Sequence, residues 1–216
     1  MKKFLFVALG LSAHTLLHAQ GRGQVMLGGS ISYENTDQTS VNSFNNITQN
    51  RKVLLATPRV AYFVSDRIAV GIEVGIENIK STARSEPPNT FTVRSNGLSA
   101  GVFVRPYWQL GKGFSVFGHA GVSYTKASIK TKFYNDPETE VGKGSGANVS
   151  VYPGVNYTFR RLMIEIGLQD LLSFSSLDVD NKSQTTGAPA GNTKTTGISL
   201  GGNMSIAAGI HVLIGK

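Results

Sequence analysis

Apolar and polar side chains alternate one by one along most of this chain. In the last segment, residues 198–214, the even positions are mainly aliphatic and the odd positions are mainly small or polar. Successive side chains of a β-strand point to opposite faces, so this pattern predicts a strand with one apolar face. The same alternation predicts seven further strands, over residues 25–34, 53–64, 68–79, 97–110, 114–129, 148–159 and 162–174.

The connections between these eight strands are short and long in turn. The short ones are residues 65–67, 111–113 and 160–161, and the long polar ones are close to residues 35–50, 80–91, 135–146 and 178–196. An even number of strands with short turns at one end and long loops at the other is typical of outer-membrane barrels. A sheet that closes into a barrel leaves no unpaired strand edge in lipid. The sequence therefore predicts an all-β fold, an eight-stranded antiparallel up-and-down transmembrane β-barrel.

The N-terminus has the pattern of a secretory signal peptide. Lys2 and Lys3 precede a mostly apolar run that reaches Ala19, which predicts a signal peptide over residues 1–19 and a barrel domain over residues 20–216. The chain has no cysteine, which excludes disulfides and thiolate metal sites in this exported protein. We expect the mature protein in the cell outer membrane.

Alternation alone does not say which face is inside, because a soluble lipocalin-like barrel turns its apolar face inward. Here the polar face of the strands consists mainly of Gly, Ser, Thr and Asn, and most charges lie in loops and at strand ends. A soluble barrel needs charged side chains along its water-facing side. The sequence therefore predicts that the polar face is inside and the apolar face meets lipid.

Aromatic residues on the apolar face fall into two groups that we predict to be aromatic girdles. Phe114 and Tyr124 are ten residues apart, about 33 Å along a strand or about 25 Å of height after a tilt of ~40°, which matches the apolar band of an outer-membrane barrel. The alternative is aromatic packing in the core of a β-sandwich. The group near the short turns is Tyr62, Trp108, Phe114, Tyr157 and Phe159, and the group near the long loops is Tyr33, Tyr124 and Phe174.

Counting outward from the three short turns places polar residues of the inner face opposite one another. The resulting pairs are Arg59 with Glu73, Arg105 with His119, and Asn156 with Glu165. An eight-stranded barrel is just wide enough for its side chains to fill, and buried charges need partners. We therefore predict a polar layer that plugs the interior. The alternative is a gate or conductive constriction.

The stretch PRVAYFVSDRIAVGIEVGI, residues 58–76, has a proline-led strand ending in Tyr-Phe, a short Asp-containing turn and an aliphatic-Gly strand. With RPYW at 105–108 and HAQ at 18–20, it resembles the outer-membrane β-barrel family widespread in Bacteroidetes. The resemblance implies a small OmpA/OmpX-like barrel of the porin family type in a Gram-negative outer membrane. It covers the whole mature chain and carries no implication of a particular activity.

We expect a structural role or one of interaction through the loops, without catalysis, cofactor or metal. The alternatives are a narrow gated channel and a lipid A-modifying enzyme. Such enzymes place a histidine and a serine towards lipid, whereas His119 and His211 are predicted to face inward.

The partners we expect are outer-membrane lipid and lipopolysaccharide, with a monomeric chain and no nucleic acid. Basic residues near the long loops are suited to lipopolysaccharide phosphates, or are ordinary solvated charges. They are Arg51, Lys52, Lys80, Arg84, Arg94, Lys126, Lys130, Lys132 and Lys143.

Overall fold

A computed structural model describes residues 21–42, 45–85, 89–133, 136–181, 191–201 and 205–215. The predicted signal peptide, residues 1–19, lies outside these ranges. Within them, no helix is long and apolar enough to span a membrane.

The described part of the chain confirms the predicted all-β antiparallel fold. Ten strands follow one another along the sequence: β1 (Val25–Asn42), β2 (Asn45–Ser65), β3 (Ile68–Ser85), β4 (Asn89–Gly111), β5 (Phe114–Phe133), β6 (Thr139–Phe159), β7 (Leu162–Gln169), β8 (Leu172–Asn181), β9 (Asn192–Leu200) and β10 (Ser205–Ile214).

At the end of the sheet that carries the short turns, the strand pairings form a closed ring. Each strand from β1 to β6 pairs with the next. The ring continues from β6 to β7, from β7 to β10, and from β10 back to β1. Hydrogen bonding therefore returns to its starting strand.

The predicted number of eight strands was wrong, because two of the predicted strands are each interrupted. β7 ends at Gln169 and β8 begins at Leu172, yet both pair with β6. Asp170 between them has a φ of 59°, a left-handed conformation that a continuous strand does not contain. A second interruption at Gly201 separates β9 from β10, and the Gly201 N–H donates to the Leu171 carbonyl at 2.7 Å. The two breaks thus lie side by side.

The long polar stretches were predicted as loops, but most of them are strand. β1 and β2 stay paired from Val25 opposite Tyr62 to Asn42 opposite Asn45. Far from the short turns the side chains on both faces are mainly polar, so the alternation disappears while the backbone ladder continues. In this half β8 and β9 extend the sheet from β6, and no pairing joins β9 to β1 within the described ranges.

The apolar face points outward along the whole ring. In β10, for example, Ile206 and Ile210 are 67% and 59% exposed, whereas His211 and Leu213 are buried. A soluble monomer rarely exposes such a large contiguous apolar surface, so this surface marks contact with a membrane or a partner.

Large apolar side chains fill the interior at the end of the short turns. Phe63 packs against Tyr107 with ring centroids 5.5 Å apart, and Tyr107 packs against Phe117 at 5.9 Å. We call this group the apolar layer. It consists of Met26, Phe63, Tyr107, Phe117, Met163 and Leu213, each almost fully buried.

Candidate functional site

The hairpin of β2 and β3 sets the position of the first two charges. Its turn has two residues, since Ser65 pairs directly with Ile68, and a bulge follows between Phe63 and Ser65. The turn is one residue shorter than the predicted turn over residues 65–67, and the bulge adds one residue to β2. The two differences cancel in the register, so Arg59 lies directly opposite Glu73 as predicted. The hairpin of β4 and β5 repeats this arrangement, with Gly111 opposite Phe114 and an irregularity after Gln109.

Arg59 projects into the interior and uses its whole guanidinium group. Its Nε donates to Glu73 Oε2 at 2.7 Å, and its Nη2 donates to the Tyr152 hydroxyl at 2.9 Å. Its Nη1 donates to Ser30 Oγ at 2.9 Å and lies 3.4 Å from Glu165 Oε1. The side chain is 2% exposed, so these protein contacts replace hydration.

Arg105 enters from β4 and is fully buried. Its Nη1 donates to Glu165 Oε2 at 2.7 Å, its Nε to His119 Nδ1 at 2.9 Å, and its Nη2 to the Tyr152 hydroxyl at 3.2 Å. The guanidinium carbon lies 4.6 Å from the centre of the Phe117 ring, a cation–π contact that joins the charges to the apolar layer.

Two arginines and two glutamates balance in charge. Glu165 is 3% exposed and contacts both Arg59 and Arg105, and Glu73 is 13% exposed and contacts Arg59. Bringing four ions into the interior is costly unless each is paired and hydrogen bonded. The arrangement meets that requirement because every guanidinium faces a carboxylate.

Both interior histidines are held within this network. His119 Nδ1 accepts a hydrogen bond from Arg105, so its proton is on Nε2, which lies 3.7 Å from Glu73 Oε1. The imidazole is stacked between Phe103 and Tyr152, with ring centroids 5.1 Å and 4.4 Å away. His211 Nε2 lies 3.0 Å from Glu165 Oε2.

The structure brings together five of the six residues that counting placed in a polar layer. They are Arg59, Glu73, Arg105, His119 and Glu165. Asn156 is opposite Glu165 in the ladder and buried, but its amide has no hydrogen-bond partner among the described residues. It lies beside the network and not in it.

Sequence reasoning missed two central members of the network, Tyr152 and Ser30, and did not place His211 in it. Both arginines donate to the Tyr152 hydroxyl. For Tyr152 the sequence did contain a signal. This residue is four residues from Asn156, an even number, so the two side chains lie on the same face of β6. We call the complete group the charged layer: Ser30, Arg59, Glu73, Arg105, His119, Tyr152, Glu165 and His211.

Two inward glycines make room for this layer. A Cβ on Gly209 would lie 2.7 Å from Glu165 Cγ, and one on Gly121 would lie 2.9 Å from His119 Nε2. Both distances are shorter than a normal van der Waals contact. Glu165 of β7 therefore occupies space that Gly209 leaves free on the neighbouring strand β10, and His119 occupies space that Gly121 leaves free two residues along the same strand.

All eight residues predicted as aromatic girdles lie on the outward face and are exposed. Phe114 and Tyr157 contact each other near the short turns, with ring centroids 4.7 Å apart. The exposed set is Tyr33, Tyr62, Trp108, Phe114, Tyr124, Tyr157, Phe159 and Phe174.

No protein-family model matches the chain, and no curated protein matches it. Among solved structures, the outer membrane protein OprG from Pseudomonas aeruginosa superposes with a TM-score of 0.54 at 12% identity, over 93% of this chain and 100% of that chain. The chain has the fold of an outer-membrane protein.

Two other outer-membrane structures are more distant. The N-terminal β-barrel domain of Pseudomonas aeruginosa OprF gives a TM-score of 0.41 at 11% identity, over 90% of this chain and 100% of that domain. Neisserial surface protein A gives 0.39 at 13% identity, over 89% of this chain and 97% of that one.

Proposed function

We propose that this protein is a small integral outer-membrane β-barrel whose interior is closed. It acts structurally, or through its loops and the polar strand segments far from the short turns. The outward face supports membrane insertion, because an exposed aliphatic band lies between two groups of exposed aromatic residues. The ring of pairings supports it too, since an unpaired strand edge is not tolerated in lipid.

The observation that carries the proposal is the double filling of the interior. The charged layer joins strands from opposite sides of the ring through Arg59, Arg105 and Glu165. The apolar layer lies next to it towards the short turns, where Phe63, Tyr107 and Phe117 are almost fully buried. Water and ions that pass along the interior of the barrel have to displace both layers. We therefore propose that the two layers close the interior to water and ions.

Catalysis is not part of this proposal. A lipid-modifying barrel needs its histidine on the lipid-facing side, whereas His119 and His211 are buried inside and lie against Arg105 and Glu165. We also propose that residues 1–19 are a cleaved signal peptide, that the mature chain is monomeric, and that the protein belongs to the Bacteroidetes outer-membrane family that its sequence resembles.

Membrane insertion is tested by electrophoretic mobility. A closed hydrogen-bonded ring resists detergent until it is heated, so unboiled protein from the membrane fraction should migrate differently from boiled protein. Identical mobility, together with recovery of the protein in the soluble periplasmic fraction, would contradict the proposal and favour a soluble barrel.

Closure is tested by planar-bilayer recordings of the wild type and of Glu73→Gln. We expect neither to conduct, because the variant disturbs the charged layer and leaves the apolar layer in place. Stable conductance steps of the wild type would show a channel. Steps that appear with Glu73→Gln would show that the charged layer is a gate.

A further inference from the structure

Four cations form a line across four neighbouring strands on the outward face. Lys52 of β2 is directly opposite Lys80 of β3, Lys80 is opposite Arg94 of β4, and Arg94 is opposite Lys130 of β5. We call these four residues the cation row. The β3 and β4 members lie on the same face as the exposed Ile76 and Leu98, so the row continues the outward surface beyond the apolar band.

This arrangement is electrostatically unfavourable without an anion. Directly opposed residues have Cβ atoms about 5 Å apart, and like charges placed so destabilise the sheet. Arg94 contacts Glu138 at 2.8 Å, and the row ends with Lys130 opposite Glu140 on β6. Lys52 and Lys80 form no salt bridge within the described ranges. A bound polyanion would turn this repulsion into attraction.

On β3 and β4 the residues between the apolar band and the cation row are amides. Along β3 the outward positions are Ile76, Asn78 and Lys80, and on β4 the corresponding partners are Leu98, Asn96 and Arg94. Asn78 Nδ2 donates to Asn96 Oδ1. The surface thus changes from aliphatic to amide to cation over four residues, about 13 Å of strand. An anionic lipid presents acyl chains, a polar linkage and a phosphate in the same order.

A cavity lies at this transition. Its volume is about 590 Å³, and its lining residues are Asn78, Lys80, Arg94, Asn96, Lys130 and Glu138. Adjoining cavities of about 340 Å³ and 320 Å³ extend it to Lys132 on one side and to Lys52 and Arg84 on the other. The cation row therefore borders a concave surface and not an isolated set of side chains.

We propose that the cation row binds the phosphate groups of an anionic glycolipid in the outer leaflet. Arginine and lysine make strong charge-assisted hydrogen bonds to phosphate oxygens, and the Asn78–Asn96 pair provides amide groups for the sugar. This inference rests on the proposed membrane location, because the outward face meets a lipid headgroup only if Ile76 and Leu98 face acyl chains.

The test uses the folded full chain in zwitterionic detergent, titrated calorimetrically with lipid A that carries its phosphates. The dephosphorylated lipid and inorganic phosphate serve as the other two ligands. The variant is Lys80→Gln with Arg94→Gln. The matched control is Lys112→Gln with Arg160→Gln, which removes two cations at the short turns.

We expect the wild type and the control to bind the phosphorylated lipid in preference to the dephosphorylated one. Two cations contribute about thirtyfold in affinity at a membrane surface, so the Lys80 and Arg94 variant should bind about thirtyfold more weakly. Equal affinity of variant and control would overturn the proposal. Binding of inorganic phosphate as tight as that of the lipid would overturn the lipid assignment and identify a site for a soluble anion.

Heat-modifiable mobility of every variant, measured on the same samples, separates this inference from the proposed function. A protein that shows the mobility shift but no preference for phosphate contradicts only the lipid site. A protein that shows no mobility shift contradicts the membrane barrel itself.

Discussion

Arg105 and Glu165 meet across the interior of the ring, with Nη1 of the guanidinium 2.7 Å from Oε2 of the carboxylate. The first belongs to β4 and the second to β7, strands that are not neighbours in the sheet. Ladder hydrogen bonds connect each strand only to the strands directly beside it in the sheet. This ion pair therefore braces parts of the wall that the backbone does not join.

The central position of Glu165 predicts a large effect of Glu165→Gln on stability. The variant leaves Arg59 and Arg105 with one carboxylate between them, and breaking a buried pair destabilises by about 3–5 kcal/mol. The free energy of unfolding from urea titrations in lipid measures the change.

Glu34→Gln is the matched control for this substitution. Glu34 pairs with Arg51 at 3.5 Å, and the two side chains are 38% and 46% exposed, so the expected loss is about 0–1 kcal/mol. Equal losses in the two variants would show that the interior pair is as weak as the exposed one.

Tyr152→Phe should destabilise the protein by removing the oxygen to which both arginines donate. The aromatic ring of the phenylalanine can still stack on His119, so the change tests the hydroxyl group alone. A buried donor left without its acceptor costs about 1–3 kcal/mol.

Tyr157→Phe on the outward face is the control for the loss of a hydroxyl, since Tyr157 is 38% exposed. It should change the free energy of unfolding by less than about 0.5 kcal/mol. A difference between the two variants that is within error would exclude a structural role of the Tyr152 hydroxyl.

Gly209→Ala should be destabilising because its methyl group would collide with the Glu165 side chain. Overpacking of this kind typically costs about 1–3 kcal/mol. The control is Gly197→Ala on β9, where a Cβ meets no atom within 4 Å; there the reduced freedom of the unfolded chain stabilises by about 0.4–1 kcal/mol. The two variants should therefore shift the urea midpoint in opposite directions.

Alternation predicts strands only where the two faces differ in polarity. Near the short turns, Arg59 and Phe63 are inside while Val60 and Tyr62 are outside, and the pattern is clear. Further from the short turns Asp37 of β1 pairs with Asn50 of β2, and polar groups on both faces leave no periodic signal. The sequence therefore predicts loops where these polar strand segments lie. The break at Asp170 does leave a trace in the sequence, because Asp170 falls on the apolar face after Ile166 and Leu168 and so interrupts the alternation.

Counting from a turn relates only strands of one hairpin. It places Arg59 opposite Glu73, and these residues are paired in the sheet. The Tyr152 hydroxyl lies 2.9 Å from Arg59 although the two residues are 93 positions apart, and that contact exists only because the ring closes. The part of the charged layer that crosses the interior therefore depends on curvature and closure, which no local pattern encodes.

The last prediction concerns the coupling between Arg59 and Glu73, whose Nε and Oε2 atoms are 2.7 Å apart. Arg59→Met and Glu73→Met each leave the charged layer with one unbalanced charge, whereas the double variant restores the balance. The double variant should therefore lose less stability than the sum of the singles, with a coupling of about 0.5–3 kcal/mol.

Arg59→Met combined with Glu34→Gln provides the reference, because Glu34 contacts Arg51 and not Arg59. The effects of these distant changes should add within about 0.3–0.5 kcal/mol. Unfolding free energies of all variants in the same lipid give both couplings. Additive losses for Arg59 and Glu73 would show that the two charges do not stabilise each other in the folded protein, and the charged layer would then have to be held by Arg105 and Glu165 alone.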